Sequence, residues 1–307
     1  MSNGSTFPPP RRSRGTLLIV LAVVVAVGVG GWLVWWPPGG GRSPADAAAS
    51  GSPAPGGPGP DGGGERRDGA TGGPDGPAPS HGPDSLRGKT VLLDPGHNPH
   101  NRDHTREIAR LVDIGNDRKE CDTTGTATDD GYAEASFTLD VARRARALLR
   151  AEGARVALTQ DGDRPYGPCV DGRAAAGNEV HADAAVSVHA DGSVPGNRGF
   201  HVILPARVTA GAADTSRIVG PSRELGVRLA DRFATVTGSA RSNYLGHGTG
   251  LDTRSDLGGL NLSAVPKVFI ECGNMRDPKD AAQLTDAQWR EKAARGITEG
   301  ITDFLTR

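Results

Sequence analysis

The chain of 307 residues has few aromatic residues, few cysteines and almost no net charge. Phe, Trp and Tyr make up only 4% of it, so we expect a core built from Val, Leu, Ile and Ala. The formal net charge of -1 leaves no basic excess to neutralise a phosphate backbone, which argues against a nucleic-acid partner. Length alone would allow two domains, so composition along the chain decides how many there are.

The three cysteines include no Cys-x-x-Cys pair, so the sequence does not predict a structural zinc knuckle. Cys121 and Cys169 lie in loop-like sequence, whereas Cys272 ends an apolar run and is expected to be buried. If the domain lies outside the cell, a Cys121–Cys169 disulfide is the expected pairing. The alternative is three unlinked thiols.

The longest apolar run lies near the N-terminus, at residues 17–36, and carries no charged side chain. A helix rises about 1.5 Å per residue, so this run would span a hydrocarbon core of about 30 Å. Arg11, Arg12 and Arg14 precede it, which predicts cytoplasmic residues 1–16 and a single-pass membrane anchor, with the rest of the chain exported. The alternative is a cleaved signal peptide and a secreted protein, although no small-x-small site follows the run closely.

Residues 37–87 are rich in Pro, Gly, Ala and Ser. Such a segment loses more conformational entropy on ordering than burial could recover, so we predict a disordered, flexible linker. Residues 88–307 are long enough for one domain with its own core. We expect this domain to be a monomer.

From Gly88 onward, short apolar runs alternate with segments of helical periodicity. The predicted strands are residues 90–94, 155–159, 184–188, 200–204 and 267–270, and the predicted helices are residues 135–151, 171–180, 217–236 and 286–305. Strands that alternate with helices are typical of an α/β fold. We therefore predict a mostly parallel twisted sheet with helices on both faces.

Three of these strands end in residues that bind metals or carry protons: His97, His189 and Glu271. Sites in open α/β sheets form at the carboxyl ends of the strands, so we expect these side chains to meet. A catalytic zinc takes three protein ligands, often two His and one Glu, and keeps a position for water. A further carboxylate must carry the proton. The sequence therefore predicts a zinc site of two His and two carboxylates.

The second carboxylate cannot be chosen from spacing. Glu107, Glu120 and Glu134 all lie in the long segment between the first strand and the next helix. Asp94, just before His97, is expected to orient the loop or a ligand histidine. A lone His after a strand is more often structural, but three such strand ends favour a site.

Four blocks of the sequence carry a resemblance to a known family. They are Val91–His97, Ala133–Leu139, Arg173–Asn178 with Ser187–Asp191, and Val265–Asn274. In this order they resemble the zinc-dependent N-acetylmuramoyl-L-alanine amidases of the AmiC type, the amidase_3 family. The resemblance covers about residues 89–307, and the insertion from Asn98 to Gly131 resembles the loop of actinobacterial members.

The resemblance implies one Zn²⁺ per domain, with His97, Glu134 and His189 as ligands and Glu271 as the catalytic general base. It also implies that the substrate is peptidoglycan, cut between the lactyl group of N-acetylmuramic acid and the L-alanine of the stem peptide. Asn98 and Arg254 are candidate substrate contacts, and Arg254 could equally form a structural ion pair.

Two other functions remain open at this point. A peptidoglycan-binding or activator protein could keep the fold without turnover, but the presence of all four key residues argues against it. A zinc peptidase could cut stem peptides instead of the lactyl amide, but the order of the blocks does not suggest one. His201 and His247 are interpreted as packing or surface residues.

Overall fold

A computed structural model describes residues 81–307. Its strands are β1 (Thr90–Pro95), β2 (Leu111–Asp113), β3 (Arg118–Glu120), β4 (Arg155–Leu158), β5 (Ala184–Asp191), β6 (His201–Pro205), β7 (Thr209–Ala210), β8 (Ala213–Asp214), β9 (Leu251–Arg254) and β10 (Lys267–Asn274). Its α-helices are α1 (Thr105–Ile108), α2 (Glu134–Ala151), α3 (Val170–Glu179), α4 (Val219–Thr237), α5 (Gly258–Asn261), α6 (Pro278–Thr285) and α7 (Ala287–Leu305). Short 3-10 helices span Asn101–Asp103 and Gly246–Gly248.

The main sheet has six strands in the order β4–β1–β5–β10–β6–β9. The first four run parallel, β6 is antiparallel to β10, and β9 is parallel to β6. The predicted mostly parallel sheet is therefore confirmed. The carboxyl ends of β1, β5 and β10 lie next to one another at one edge of it.

Side chains along β1 alternate between the two faces of the sheet. Val91 and Leu93 join the large core cluster, whereas Leu92 packs with Ala182 and Ala185 on the other side. Helices α2, α4 and α7 cover the first face, and α3 and α5 lie over the second. Both faces carry helices, as the alternation of strands and helices predicted.

A few aromatic residues contribute to this core. Phe137, Phe200 and Phe233 are fully buried, and Trp289 is nearly so. The rings of Phe200 and Phe233 lie 4.8 Å apart, and Trp289 contacts both Phe137 and Phe233. Most of the other buried residues of the main cluster are Val, Leu, Ile or Ala, so the predicted core composition is confirmed, with a few large rings added to it.

The domain begins earlier than the predicted boundary at residue 88. Leu86 is fully buried, and its N–H donates to the Glu152 carbonyl at 2.8 Å. His81 Nε2 lies 3.0 Å from a carboxylate oxygen of Asp303. Residues within the predicted end of the linker therefore contact the domain, and one leucine in a Gly- and Pro-rich stretch is too weak a signal to predict such contacts.

The predicted N-terminal segment, the membrane anchor and most of the linker lie outside the described residues. In the part of the chain from 81 to 307, no helix is both long and apolar enough to cross a membrane.

The insertion between β1 and α2 contains the β2–β3 hairpin, which the sequence did not predict. A disulfide joins Cys121, just after this hairpin, to Cys169, just before α3. Cys272 is free and buried, as its apolar surroundings suggested.

Candidate metal centre

Side chains from three strand ends meet at the carboxyl edge of the sheet. His97 follows β1, and His189 in β5 is paired in register with Glu271 in β10. Val188 and Ile270, their neighbours in sequence, point into the main core. Because side chains alternate along a strand, His189 and Glu271 point to the opposite face. There they line an open cavity together with His97.

His97, Glu134 and His189 form a group that could hold a metal ion, since one ligand atom from each lies within 4.8 Å of the others. The Glu134 carboxylate lies between the two imidazoles, with Oε2 at 3.2 Å from His97 Nε2 and Oε1 at 3.0 Å from His189 Nδ1. The imidazole rings meet edge to face at 5.1 Å. These are the three residues that the resemblance implied as ligands.

Glu134 is the first residue of α2, where the helix dipole favours a carboxylate. The backbone N–H groups of Thr126 and Ala190 donate to its two oxygens at 2.9 and 3.2 Å. Burial by itself raises the pKa of Glu134, but the charge on His97 and hydrogen bonds from both imidazoles hold that pKa well below its usual range. The carboxylate is therefore ionised and fixed in place.

Two glycines allow these side chains to approach one another. A Cβ at Gly96 would lie 2.3 Å from His189 Cε1. At Gly125, whose φ is +71°, a Cβ would lie 2.7 Å from both Glu134 Oε2 and His97 Cδ2. Only glycine fits at either position, and Gly125 also needs the left-handed conformation that glycine adopts readily.

Hydrogen bonds to the His97 carbonyl hold the loop that carries this residue. His97 itself has a φ of +60°, an uncommon conformation for a residue with a side chain. Its carbonyl accepts hydrogen bonds from Gln160 Nε2 at 3.1 Å and from Arg173 Nη2 at 2.9 Å. These two donors keep the strained turn in the orientation that brings the ring to Glu134.

The carboxylate next to the His97 ring is Asp122, with Oδ1 at 3.2 Å from Nδ1. Burial lowers the pKa of His97, but the charges and hydrogen bonds of Glu134 and Asp122 more than reverse this effect and raise it to about 10. The same carboxylates that favour a proton on this ring favour a cation in its place.

Asp94 contacts neither imidazole, so of its two expected roles the structure supports the one that orients the loop. It is fully buried and accepts from Arg173 Nη1 at 2.8 Å and from Lys267 Nζ at 3.0 Å. Burial raises the pKa of Asp94, but Lys267 and Arg173 lower it far below its usual range. Arg173 also donates to the Pro95 carbonyl, so Asp94 orients the loop indirectly.

Glu271 lies beside the proposed ligands, but its environment differs from that of Glu134. Its Oε2 is buried without a hydrogen-bond partner. Burial, followed by the charges of Glu134 and Asp191, raises the pKa of Glu271 well above its usual range. A nearby cation would favour the ionised form of such a carboxyl group and so oppose this shift. Such groups are typical of proton carriers in active sites.

Two cavities of about 410 and 460 Å³ adjoin the centre and share His97, His189, Arg254 and Phe269 among their lining residues. Arg254 also pairs with Asp256 at 2.7 Å, so it lines the cavities and forms the ion pair that the sequence allowed.

Asn98 lines neither cavity. It is 1% exposed, and its side-chain amide donates to the Gly167 carbonyl at 3.0 Å. The expected substrate contact at Asn98 is therefore wrong, because the residue supports the loop instead. His201 is buried against Tyr244, and His247 lies in an exposed 3-10 turn.

Fold and site together define an α/β domain with a candidate His–Glu–His metal centre and a protonatable carboxyl group beside it. A family model described as N-acetylmuramoyl-L-alanine amidase, Amidase_3, matches residues 91–303. The chain therefore belongs to this amidase family, and the family resemblance seen in its sequence blocks is confirmed.

Curated and solved relatives agree with this assignment. N-acetylmuramoyl-L-alanine amidase Rv3717 of Mycobacterium tuberculosis is 38% identical over 214 residues, which cover 69% of this chain and 85% of that protein. The crystal structure of the amidase Ami1 from Mycobacterium smegmatis has a TM-score of 0.66 at 43% identity and covers 72% of this chain and 98% of its own. The apo form of Ami1 from Mycobacterium abscessus has a TM-score of 0.65 at 38% identity, with coverage of 72% and 100%.

Proposed function

We propose that this chain is a peptidoglycan hydrolase that cuts the amide between the lactyl group of N-acetylmuramic acid and the L-alanine of the stem peptide. Zn²⁺ held by His97, Glu134 and His189 is part of the proposal. The observation that carries it is the convergence of these three ligand atoms beside Glu271, in a chain that belongs to the amidase family.

The residues present fit zinc. Two imidazole nitrogens and one carboxylate are a common ligand set of catalytic zinc. The Glu134 carboxylate is held ionised, and the glycines at 96 and 125 leave the space between the ligands free of Cβ atoms. When bound there, zinc supplies a Lewis acid that polarises a carbonyl group and lowers the pKa of a water molecule.

The protein's own side chains transfer the proton and position the substrate. Glu271 takes a proton from the attacking water as the new C–O bond forms, and it returns that proton to the leaving nitrogen of L-alanine as the C–N bond breaks. Its buried, unpaired Oε2 is suited to both transfers. Arg254 and Phe269 line the cavities on either side and position the substrate.

The sequence of residues 17–36 supports a further part of the proposal, a membrane anchor with the catalytic domain outside the cytoplasm. Alkaline carbonate extraction of cell membranes tests it. We expect the full-length chain to stay in the membrane fraction and a chain that lacks residues 1–36 to become soluble. Release of the full-length chain by carbonate would contradict anchoring.

Mass analysis of products from purified peptidoglycan tests the reaction. We expect glycan strands that keep the lactyl group and released stem peptides that begin with a free L-alanine amine. Activity should disappear on treatment with a zinc chelator and return with Zn²⁺. Products cut within the stem peptide would instead identify a peptidase.

A further inference from the structure

The His97 ring has a contact on each of its two nitrogens. Nε2 faces Glu134 at 3.2 Å, on the side of the proposed metal. Nδ1 lies 3.2 Å from Asp122 Oδ1 and 3.1 Å from the Thr123 carbonyl. A histidine ligand that donates its second N–H to a carboxylate or carbonyl is fixed in the tautomer and orientation that the metal requires.

Asp122 is itself held on its other side. Its Oδ2 accepts from Arg173 Nη2 at 2.8 Å, and both side chains are 6% exposed. Arg173 Nη2 also donates to the His97 carbonyl. A single guanidinium therefore positions the backbone of His97 directly and its ring through Asp122.

The disulfide joins the two segments that supply this contact. Cys121 immediately precedes Asp122, and Cys169 is the N-cap of α3, which carries Arg173. Next to the bond, the N–H of Val170 donates to the Cys121 carbonyl at 2.8 Å, and the N–H of Arg173 donates to the Cys169 carbonyl at 2.9 Å. The bond thus keeps the backbones that carry the carboxylate and the guanidinium at a set distance.

We propose that Asp122 is a positioning residue for His97, and that the Cys121–Cys169 disulfide holds Asp122 and Arg173 together so that the oxidised chain binds its metal more tightly than the chain without the bond. This inference rests on the proposed function, since it assumes that His97 is a ligand.

The first experiment measures Zn²⁺ affinity of full-length wild type and Asp122→Asn by competition with a chromophoric chelator. An amide has one acceptor oxygen, so it cannot serve both the imidazole and the guanidinium as the carboxylate does. We expect about 10–100-fold weaker binding, the range found when such supporting partners are removed. The visible absorption bands of the Co²⁺-loaded variant should also change, because the orientation of a ligand changes.

Thr159→Val is the matched control. Thr159 donates to Asp94 on the other side of Arg173 and is buried like Asp122. The substitution removes one buried hydrogen bond at nearly constant volume and leaves His97 untouched. We expect an unchanged Zn²⁺ affinity and an unchanged Co²⁺ spectrum.

The second experiment removes the disulfide with Cys121→Ser and Cys169→Ser together, because free thiols would themselves bind zinc. We expect weaker Zn²⁺ binding in the wild-type background and little further loss in the Asp122→Asn background, since both changes act through the same contact.

The outcomes distinguish failure of the proposed zinc site from failure of the positioning role of Asp122. If wild type binds no Zn²⁺, the proposed function is wrong. If wild type binds it and Asp122→Asn binds it equally well with the same Co²⁺ spectrum, the positioning role is wrong. If loss of the disulfide weakens both backgrounds by the same factor, or abolishes the native circular dichroism, the coupling through Asp122 is wrong.

Discussion

Two buried charged clusters lie side by side beneath the carboxyl edge of the sheet. In the first, Asp94 meets Arg173 and Lys267, so its charge is compensated within the chain. In the second, Glu134 lies between two imidazoles, and Glu271, which lines the same cavity, keeps a buried oxygen without a partner. A buried charge must be paired or bind a metal. The first cluster therefore serves as scaffold, whereas the second is suited to the metal ion proposed for it.

The largest expected effect lies in the second cluster, at Glu271. Glu271→Gln keeps the shape of the side chain but cannot accept a proton, so we expect turnover on purified peptidoglycan to fall by about 10²–10⁴-fold. Glu152→Gln is the control, since Glu152 is also buried but lies against Thr302, away from the site. Normal turnover in Glu271→Gln would contradict the proposed catalytic role of Glu271 in the second cluster.

The next largest effect is expected in the first cluster, where a substitution should lower the stability of the fold. Asp94→Asn leaves Arg173 and Lys267 without their shared carboxylate, so we expect the free energy of unfolding at pH 7 to fall by about 3–5 kcal/mol. Denaturant unfolding of both proteins measures the difference. If the free energy of unfolding did not change, charge pairing within the chain would not distinguish the first cluster from the second.

The pH dependence of that difference sharpens the test. The folded pKa of Asp94 lies far below its ordinary value of 3.8, so the unfolded chain binds the proton more tightly. The contribution of Asp94 to stability is therefore complete above about pH 4 and declines as the pH falls below it. We expect the gap between wild type and Asp94→Asn to narrow on acidification below pH 4. A gap of constant size would contradict the assigned pKa shift.

The smallest effect separates backbone strain from crowding in the second cluster. Gly125 and Gly131 both have positive φ, but a Cβ at Gly125 meets Glu134 and His97, whereas one at Gly131 meets nothing within 4 Å. Alanine at either position should cost about 1–2 kcal/mol of stability through its backbone. Only Gly125→Ala should also weaken metal binding, measured by chelator competition. Equal metal affinity in both variants would show that the space next to Gly125 is not needed.

The strand ends could be predicted from the sequence because parallel strands bring their carboxyl ends to one edge. His97, His189 and Glu271 follow from that rule alone. Glu134 does not, since it lies on a helix beyond a long insertion and its position depends on tertiary packing. The family resemblance, not the local pattern, selected it.

The supporting residues of the centre were not predicted for a related reason. Asp122 and Gly125 lie in the insertion, where neither apolar periodicity nor spacing links them to His97 or Glu134. Strand β9 was also missed, because Leu251 is its one apolar residue and edge strands need little burial. Contacts between distant segments carry no local signature, whereas alternation along buried strands does.

Zinc content is the direct test of the proposed His97–Glu134–His189 centre. Full-length wild type, Glu134→Gln and Glu271→Gln would be purified with Zn²⁺, dialysed and measured by elemental mass spectrometry. We expect one Zn²⁺ per chain in wild type and in Glu271→Gln, and none in Glu134→Gln. Equal zinc in all three proteins, or none in wild type, would contradict the assignment of the His97–Glu134–His189 centre.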